Sequence, residues 1–172
     1  MKEVKLVLPS AEYKESFLEA LQEFHIEGRN LDLDALDLEH DFDSFVRRKA
    51  GEPEGKFLPE GFVPQTDYWL VHGDEYLGHI AIRHLLNDTL MQRGGNIGYA
   101  IRPSKRRQGY GTIILKLGLE KAKMLGISRA LVTCDKDNIA SRQIIEKNGG
   151  ILENESVGDK GETVLRFWVP TA

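Results

Sequence analysis

Hydrophobic and polar residues alternate with a helical period early in the chain, after one short apolar segment. Residues 4–8 predict a strand that Pro9 ends. Ser10 is suited to cap a following helix over about residues 11–27, and Gly28 is suited to end it. Four apolar residues spaced three or four apart give this helix one apolar face: Tyr13, Phe17, Leu21 and Phe24.

The segment that follows is acidic and then rich in glycine and proline. Residues 31–46 interleave acidic and apolar positions, and a helix is predicted around residues 42–49. Two interpretations stay open for the acidic side chains, namely an entrance that attracts a cationic amine or a solvated helix face. Residues 50–66 predict a long loop, which in a compact domain often serves function.

The second half of the chain predicts strands separated by two helices. Residues 68–71 and 76–84 read as a hairpin around Gly73-Asp74, and Pro103 ends a further strand over residues 95–102. Helices are predicted over 109–125 and 138–147, a buried strand over 130–134, and two final strands within 151–169. This order predicts a mixed α/β domain whose strand–helix–strand unit crosses over right-handed.

Composition limits the class of protein. A chain of 172 residues with 41% hydrophobic and 29% charged residues suits a single domain over residues 1–172. The net charge of -4 argues against a nucleic-acid partner. Cys134 is the sole cysteine, which excludes an internal disulfide. With no apolar run of membrane-spanning length and no leader-like N-terminus, we expect a cytoplasmic protein without a membrane partner.

The segment over residues 101–112 carries the most specific chemistry. A strand ends there, a basic turn follows, and two glycines open a helix whose first N–H groups are unpaired and lie at the positive end of the dipole. Gly109 and Gly111 allow a phosphate to approach the backbone, and Arg106 and Arg107 add positive charge. These features predict a diphosphate site, although a solvated basic turn before an ordinary helix is the alternative. The spacing fits neither the P-loop nor the dinucleotide-binding fingerprint.

With its flanks, this segment resembles the acetyl-CoA loop of the GNAT superfamily of N-acetyltransferases, whose pattern is [RQ]-x-x-G-x-[GA]. Arg106, Gly109 and Gly111 fill that pattern. Residues 137–150 resemble the family's second signature, N-x-x-[AS] followed by a helix that ends in a glycine pair. The resemblance covers residues 68–156, and the N-terminal part only by element order. It implies an α/β fold with a mixed, mostly antiparallel central sheet, a splayed parallel strand pair and helices on both faces.

The resemblance also implies how acetyl-CoA would bind as co-substrate. The backbone of Ile101 and Arg102 would pair with the pantetheine arm, with the acetyl group between the strands at 95–102 and 130–134. Asn138 and Ser141 would contact the far side of the cofactor. The pyrophosphate would be held beside Arg106 and Arg107 by the amides of five residues, Gln108, Gly109, Tyr110, Gly111 and Thr112.

The chain departs from the family pattern at two positions that usually serve proton transfer. Ile145 stands where many members have a tyrosine acid, and Asn96 lies near the usual carboxylate base. Tyr99, Cys134 or water could assist thiolate departure. His84 is the candidate base because its pKa range fits the task, with an ordinary strand histidine as the alternative. We therefore name Tyr99 and His84 as the candidate catalytic residues and expect no metal site.

The predicted activity is acetyl transfer from acetyl-CoA to an unidentified amine by direct attack. The acceptor is expected to be a small-molecule or peptide amine. A non-catalytic acyl-CoA-binding or sensor module of the same fold is the alternative, and release of CoA distinguishes the two. The sequence leaves the oligomeric state open, with a homodimer among the options.

Overall fold

One seven-stranded sheet organises the computed structural model, which describes residues 3–171. The order across the sheet is β1-β2-β3-β4-β5-β7-β6. All neighbours are antiparallel except β4 and β5, which run parallel. The strands are β1 Val4–Val7, β2 Gln65–His72, β3 Glu75–Arg83, β4 Ile97–Ile101, β5 Arg129–Asp135, β6 Ile151–Val157 and β7 Thr163–Pro170.

Six α-helices are described, with short 3₁₀ turns at Ala11–Tyr13, Glu52–Glu54 and Pro103–Lys105. The helices are α1 Lys14–Ile26, α2 Ala35–His40, α3 Phe42–Gly51, α4 Asp88–Gln92, α5 Tyr110–Met124 and α6 Ile139–Lys147. Within the described residues, no helix combines the length and the apolar character that a membrane span requires.

The helices cover both faces of the sheet, and each face has its own core. On one face, α5 and α6 pack against aliphatic residues of the central strands, including Ile80 and Val132. On the other face, α1 to α3 surround an aromatic cluster in which the Phe17 ring stacks on Trp69 at 4.8 Å. The predicted mixed α/β fold with helices on both faces is therefore confirmed.

The parallel pair diverges almost as soon as it forms. β4 and β5 pair only at Ile97 and Val132, whereas β3 and β4 pair over Gly78 to Ile82. The edge of β4 beyond Ile97 therefore has no partner in β5, and a wedge-shaped gap opens towards the start of α5. This gap is the splayed pair that the sequence predicted.

The N-terminal predictions hold with small changes of boundary. Ser10 caps the start of the helical region by accepting a hydrogen bond from the amide of Glu12, and all four predicted apolar residues of this face are buried. The helices α2 and α4 were not predicted as separate elements. Both are short, with six and five residues, and neither shows a full helical period in the sequence.

Candidate functional site

Asn96 lies at the base of the gap between β4 and β5 and ties the two strands together there. This buried amide accepts a hydrogen bond from Leu131 N–H at 2.9 Å and donates one to Arg83 O at 3.3 Å. Its own backbone N–H donates to Leu131 O. Asn96 thus connects β3, β4 and β5, which is a structural role.

The loop before α5 presents a row of unpaired backbone amides. The N–H groups from Gln108 through Thr112 have no hydrogen-bond partner among residues 3–171, and the first helical bond runs from Ile113 N–H to Gly109 O. Arg107 and Gly109 adopt left-handed conformations with φ of 60° and 86°. The turn therefore aims several donors outward at the positive end of a 15-residue helix.

The basic cluster in this loop is mostly neutralised by ion pairs. Arg106 makes a bidentate pair with Glu27 at 2.7 and 2.9 Å and donates to Ile101 O. Lys105 pairs with Glu75 at 2.6 Å. Arg107 makes no ion pair with any residue that the structure describes. Arg106 therefore anchors the loop to the end of α1, while Arg107 keeps its charge available.

A cavity of about 600 Å³ lies against this loop and is called the loop cavity below. It reaches from the start of α5 along β4 to the first turn of α6. Eight of the residues predicted to contact the cofactor line it, together with Tyr99: Ile101, Arg106, Arg107, Gly109, Gly111, Thr112, Asn138 and Ser141.

Three of the predicted cofactor residues do not line the loop cavity. The side chain of Arg102 is buried against α1, where it donates to Glu23 at 2.7 Å, and its backbone N–H donates to Leu77 O. Tyr110 packs against the aliphatic core. The side-chain amide of Gln108 donates to Ser104 O, whereas its backbone N–H has no partner among the described residues.

The two loop glycines have different physical roles. A Cβ at Gly109 would meet no atom within 4 Å, so this position borders open space. A Cβ at Gly111 would lie 2.5 Å from Cδ1 of Ile144. The absence of a side chain at Gly111 therefore lets α6 approach α5, whereas the backbone of Gly109 borders open space.

Tyr99 lies in the middle of β4, and its side chain faces α6. Its hydroxyl shares a hydrogen bond with Ser141 Oγ at 2.9 Å. Desolvation raises the pKa of the Tyr99 phenol to about 12, although the hydrogen bond to Ser141 lowers it. The phenol is therefore a neutral hydrogen-bond donor at any physiological pH.

A second cavity, of about 440 Å³, adjoins the first and is called the arginine cavity below. Tyr99, Asn138 and Ser141 line both cavities. The arginine cavity continues past Gly98 and Cys134 on the other side of Tyr99. The loop cavity and the arginine cavity therefore adjoin at Tyr99.

The other candidates for proton transfer lie in different surroundings. His84 follows β3, hydrogen-bonds Thr66 Oγ1 through Nε2 at 2.8 Å, and lines neither cavity; desolvation lowers its pKa. Cys134 lines the arginine cavity, but burial raises the pKa of its thiol. Ile145 is fully buried in the core, so a tyrosine introduced there would meet tightly packed neighbours.

The acidic segment before α3 does not line either cavity. Asp34 caps α2 by accepting hydrogen bonds from the amides of Leu36 and Asp37. Asp41 caps α3 through the amide of Ser44. These two carboxylates are helix caps.

Sequence reasoning missed the arginines of the second cavity. Arg83 and Arg93 lie at the end of β3 and just after α4, and Arg29 follows α1. These three positions are far apart in sequence and belong to no motif, so only the fold brings them together. Among the described residues, no cluster of histidine, cysteine or acidic side chains is arranged to hold a metal ion.

Comparison with known proteins identifies the family. The model of the acetyltransferase (GNAT) domain matches residues 34–151. A comparison with curated protein sequences gives no match. Several solved structures share the fold over nearly the whole chain.

The microcin C7 self-immunity acetyltransferase MccE, solved with acetyl-CoA and AMP, is 14% identical over 98% of this chain and 92% of its own, with a TM-score of 0.69. An acetyltransferase from Salmonella typhimurium that modifies the N-terminal serine of ribosomal protein L7/L12 is 16% identical over 96% and 93%, with a TM-score of 0.64. A GNAT acetyltransferase from Bacillus anthracis is 13% identical over 99% and 97%, also at 0.64.

The family match covers more than half of the chain, and the splayed strands and the amide-rich loop agree with it. This chain belongs to the GNAT family of acetyltransferases.

Proposed function

We propose that this enzyme transfers the acetyl group of acetyl-CoA to an amine by direct attack, with the thioester placed at the meeting point of the two cavities. The observation that carries the proposal is the row of unpaired amides from Gln108 through Thr112 at the edge of the loop cavity. A diphosphate is the ligand that satisfies several adjacent N–H groups at a helix N-terminus.

The remaining contacts follow from the shape of the loop cavity. The unpaired edge of β4 beyond Ile97 lies along the cavity, so an extended amide-containing arm can lie beside it as a strand would. Arg107 supplies the available positive charge next to the phosphates. Asn138 and Ser141 border the opposite wall from the first turn of α6.

The chemistry requires a neutral amine and a stabilised leaving group. As the nitrogen bonds to the acetyl carbon, the carbon–sulfur bond breaks, the nitrogen loses a proton and the sulfur leaves as a thiolate. Tyr99 is the residue placed to donate a hydrogen bond to that thiolate. The unpaired backbone of β4 is placed to polarise the carbonyl oxygen.

His84 is a weaker candidate because it lies outside both cavities and already hydrogen-bonds Thr66. We assign it no direct contact with the amine and assign deprotonation to solvent in the arginine cavity. The test is the rate–pH profile of His84→Ala. An unchanged acidic limb supports this assignment, whereas a flattened limb makes His84 the base.

The decisive experiment measures both binding and release of CoA. Calorimetry with acetyl-CoA should show binding, and a panel of amines should include one that increases release of the CoA thiol above the hydrolysis background. Binding without release by any amine would instead indicate an acyl-CoA-binding module. No binding at millimolar acetyl-CoA would refute the proposal.

A matched pair of variants tests the position of the phosphates. Arg107→Gln should weaken acetyl-CoA binding by up to about fivefold, since an exposed ion pair contributes at most about 1 kcal/mol. Lys123→Gln removes an exposed charge from the other end of the same helix and should leave binding unchanged. Equal affinities of the two variants would mean that the phosphates bind elsewhere.

A further inference from the structure

The arginine cavity carries positive charge that the protein does not neutralise. Arg29, Arg83 and Arg93 line it, against one carboxylate, that of Asp135. Arg93 pairs with Asp135 at 2.9 Å and with Glu162, so its charge is balanced. Neither Arg29 nor Arg83 has an ion-pair partner within residues 3–171.

Arg83 is the better placed of the two. Its Nη1 donates to Gly94 O at 3.0 Å and Gly95 O at 3.2 Å, which fixes the guanidinium above β4. A Cβ at Gly98 would lie 3.5 Å from Nη2, so the guanidinium rests over the residue next to Tyr99. Its Nε and Nη2 make no hydrogen bond to any described residue, which leaves donors for a ligand.

The carboxylate that affects the pKa of Arg83 is that of Asp67, which lies outside the arginine cavity. Desolvation lowers the pKa of the Arg83 guanidinium and the carboxylate of Asp67 opposes this. Asp67 does not line the arginine cavity, and its carboxylate pairs with Lys49 Nζ at 2.7 Å. Arg83 is thus a partly desolvated charge without a direct counter-ion, an arrangement that favours binding of an anion.

Arg29 adds a second charge at the place where the two cavities meet. It lines both of them, and its guanidinium lies over the Phe24 ring at 5.7 Å from the ring centre. Arg29 is exposed and Arg83 is half-buried, so the two arginines border the cavity at positions of different exposure. The cavity volume of about 440 Å³ suits a small molecule.

We propose that the acceptor is a small amine that also carries an anionic oxygen group, a carboxylate or a phosphate, which Arg83 binds with help from Arg29. Planar guanidinium groups bind both anions through paired hydrogen bonds. The inference rests on the proposed acetyl transfer, because it assigns the arginine cavity to the acceptor. The anion held over Gly98 would orient the amine towards the thioester beside Tyr99.

The first arm of the test measures binding and needs no turnover. With CoA present, calorimetry compares N-acetyl amino acids with the corresponding N-acetyl amino-acid amides, which match them in shape but lack the charge. The acids should bind at least about tenfold more tightly. Amides that bind as tightly as acids would exclude a carboxylate, and together with equal rates for O-phosphoethanolamine and ethanolamine would overturn the inference.

The second arm measures turnover with matched acceptors. Free amino acids are compared with their α-amides, and O-phosphoethanolamine with ethanolamine, by release of the CoA thiol. A preference for amino acids identifies a carboxylate as the bound anion, and a preference for phosphoethanolamine identifies a phosphate. Equal rates for charged and neutral members of both pairs would overturn the inference.

Variants separate anion binding from a structural role of Arg83. Arg83→Gln removes the charge but keeps a hydrogen-bond donor, and it should reduce the ratio of rates for the charged and the neutral acceptor about tenfold. Should this variant unfold, Arg29→Gln, at an exposed position, should lower the preference at least threefold. Arg48→Gln, an exposed arginine packed on Phe45 outside the cavity, is the control.

The two proposals fail in different ways. If the N-acetyl acids bind through Arg83 but no amine is acetylated, acetyl transfer is refuted while the anion site stands. If amines are acetylated with no preference for charge, acetyl transfer stands and the anion site is refuted. A preference unaffected by both Arg83→Gln and Arg29→Gln would also overturn the assignment.

Discussion

Substitution of Tyr99 by phenylalanine removes the hydroxyl that lies where the two cavities meet. The ring remains, so packing beside Ile97 and the aliphatic core should be preserved. Ser141 loses its hydrogen-bond partner, and its exposed side can still bond water. The expected result is a lower turnover number with almost unchanged affinity for acetyl-CoA.

The size of the loss depends on whether Tyr99 transfers its proton or only donates a hydrogen bond. Desolvation raises the pKa of Tyr99 to about 12, and a thiol has a pKa of about 8.5. Full proton transfer to the thiolate would therefore be uphill by roughly 5 kcal/mol at about 1.4 kcal/mol per pKa unit. A hydrogen bond to a charged group contributes about 1.5–3 kcal/mol, which predicts a loss of about 10- to 150-fold in kcat.

The assay is thiol release under saturating acetyl-CoA and acceptor, with calorimetry for the dissociation constant. Ser141→Ala is the companion variant, because it leaves the Tyr99 hydroxyl in place and removes only its partner. It should change kcat less than Tyr99→Phe does. A kcat of Tyr99→Phe within threefold of the parent value would refute a role for the hydroxyl. A loss of acetyl-CoA binding would show that Tyr99 contributes to binding of the ground state.

Three further predictions concern stability. Acetyl-CoA at 100 times its dissociation constant should stabilise the fold by about 2.7 kcal/mol and raise Tm by about 5–10 °C in differential scanning fluorimetry; an unchanged Tm would contradict binding to the native state. Gly95→Ala should lower the free energy of unfolding in urea by about 3–5 kcal/mol, because φ is 60° and the new Cβ would collide with Leu131 O. Gly126→Ala is the control: its φ is 83° but no atom lies within 4 Å of the new Cβ, so it should lower this free energy by only about 1–2 kcal/mol. Desolvation lowers the pKa of His79, so below about pH 6.5 the unfolded chain binds more protons than the folded one, and the free energy of unfolding decreases as the pH is lowered. His79→Gln should reduce the slope of unfolding free energy against pH by up to about 1.4 kcal/mol per pH unit, and an equal slope would contradict the prediction.

Local sequence signals predicted most of the fold because each core element has its own period or its own cap. Apolar spacing directly predicts the buried helical face from Tyr13 to Phe24, which includes α1, and the buried strand β5. The loop before α5 was identified from glycine and arginine spacing, and the structure places those glycines at the predicted helix start. Short elements such as α4 lacked such signals and appeared only in the structure.

The roles of individual charged residues could not be predicted, because they depend on partners distant in sequence. Arg102 is bound by Glu23 of α1, and Arg106 by Glu27, across nearly 80 positions. The sequence shows a basic cluster at residues 105–107, yet Arg107 is its only member without an ion pair among residues 3–171. In the same way, the alternation of residues in β3 does not indicate that Arg83 reaches over Gly98.

The turn at residues 94–96 links the fold to the proposed chemistry. Asn96 accepts the hydrogen bond of Leu131 N–H and so ties β5 to the base of β4, from which the two strands diverge beyond Ile97 and Val132. Gly95 permits the approach, since no side chain fits against Leu131 O. The same turn offers Gly94 O and Gly95 O to Arg83. The turn at the base of the gap therefore also positions Arg83 beside it, so the splayed strands and the proposed anion site depend on the same three residues.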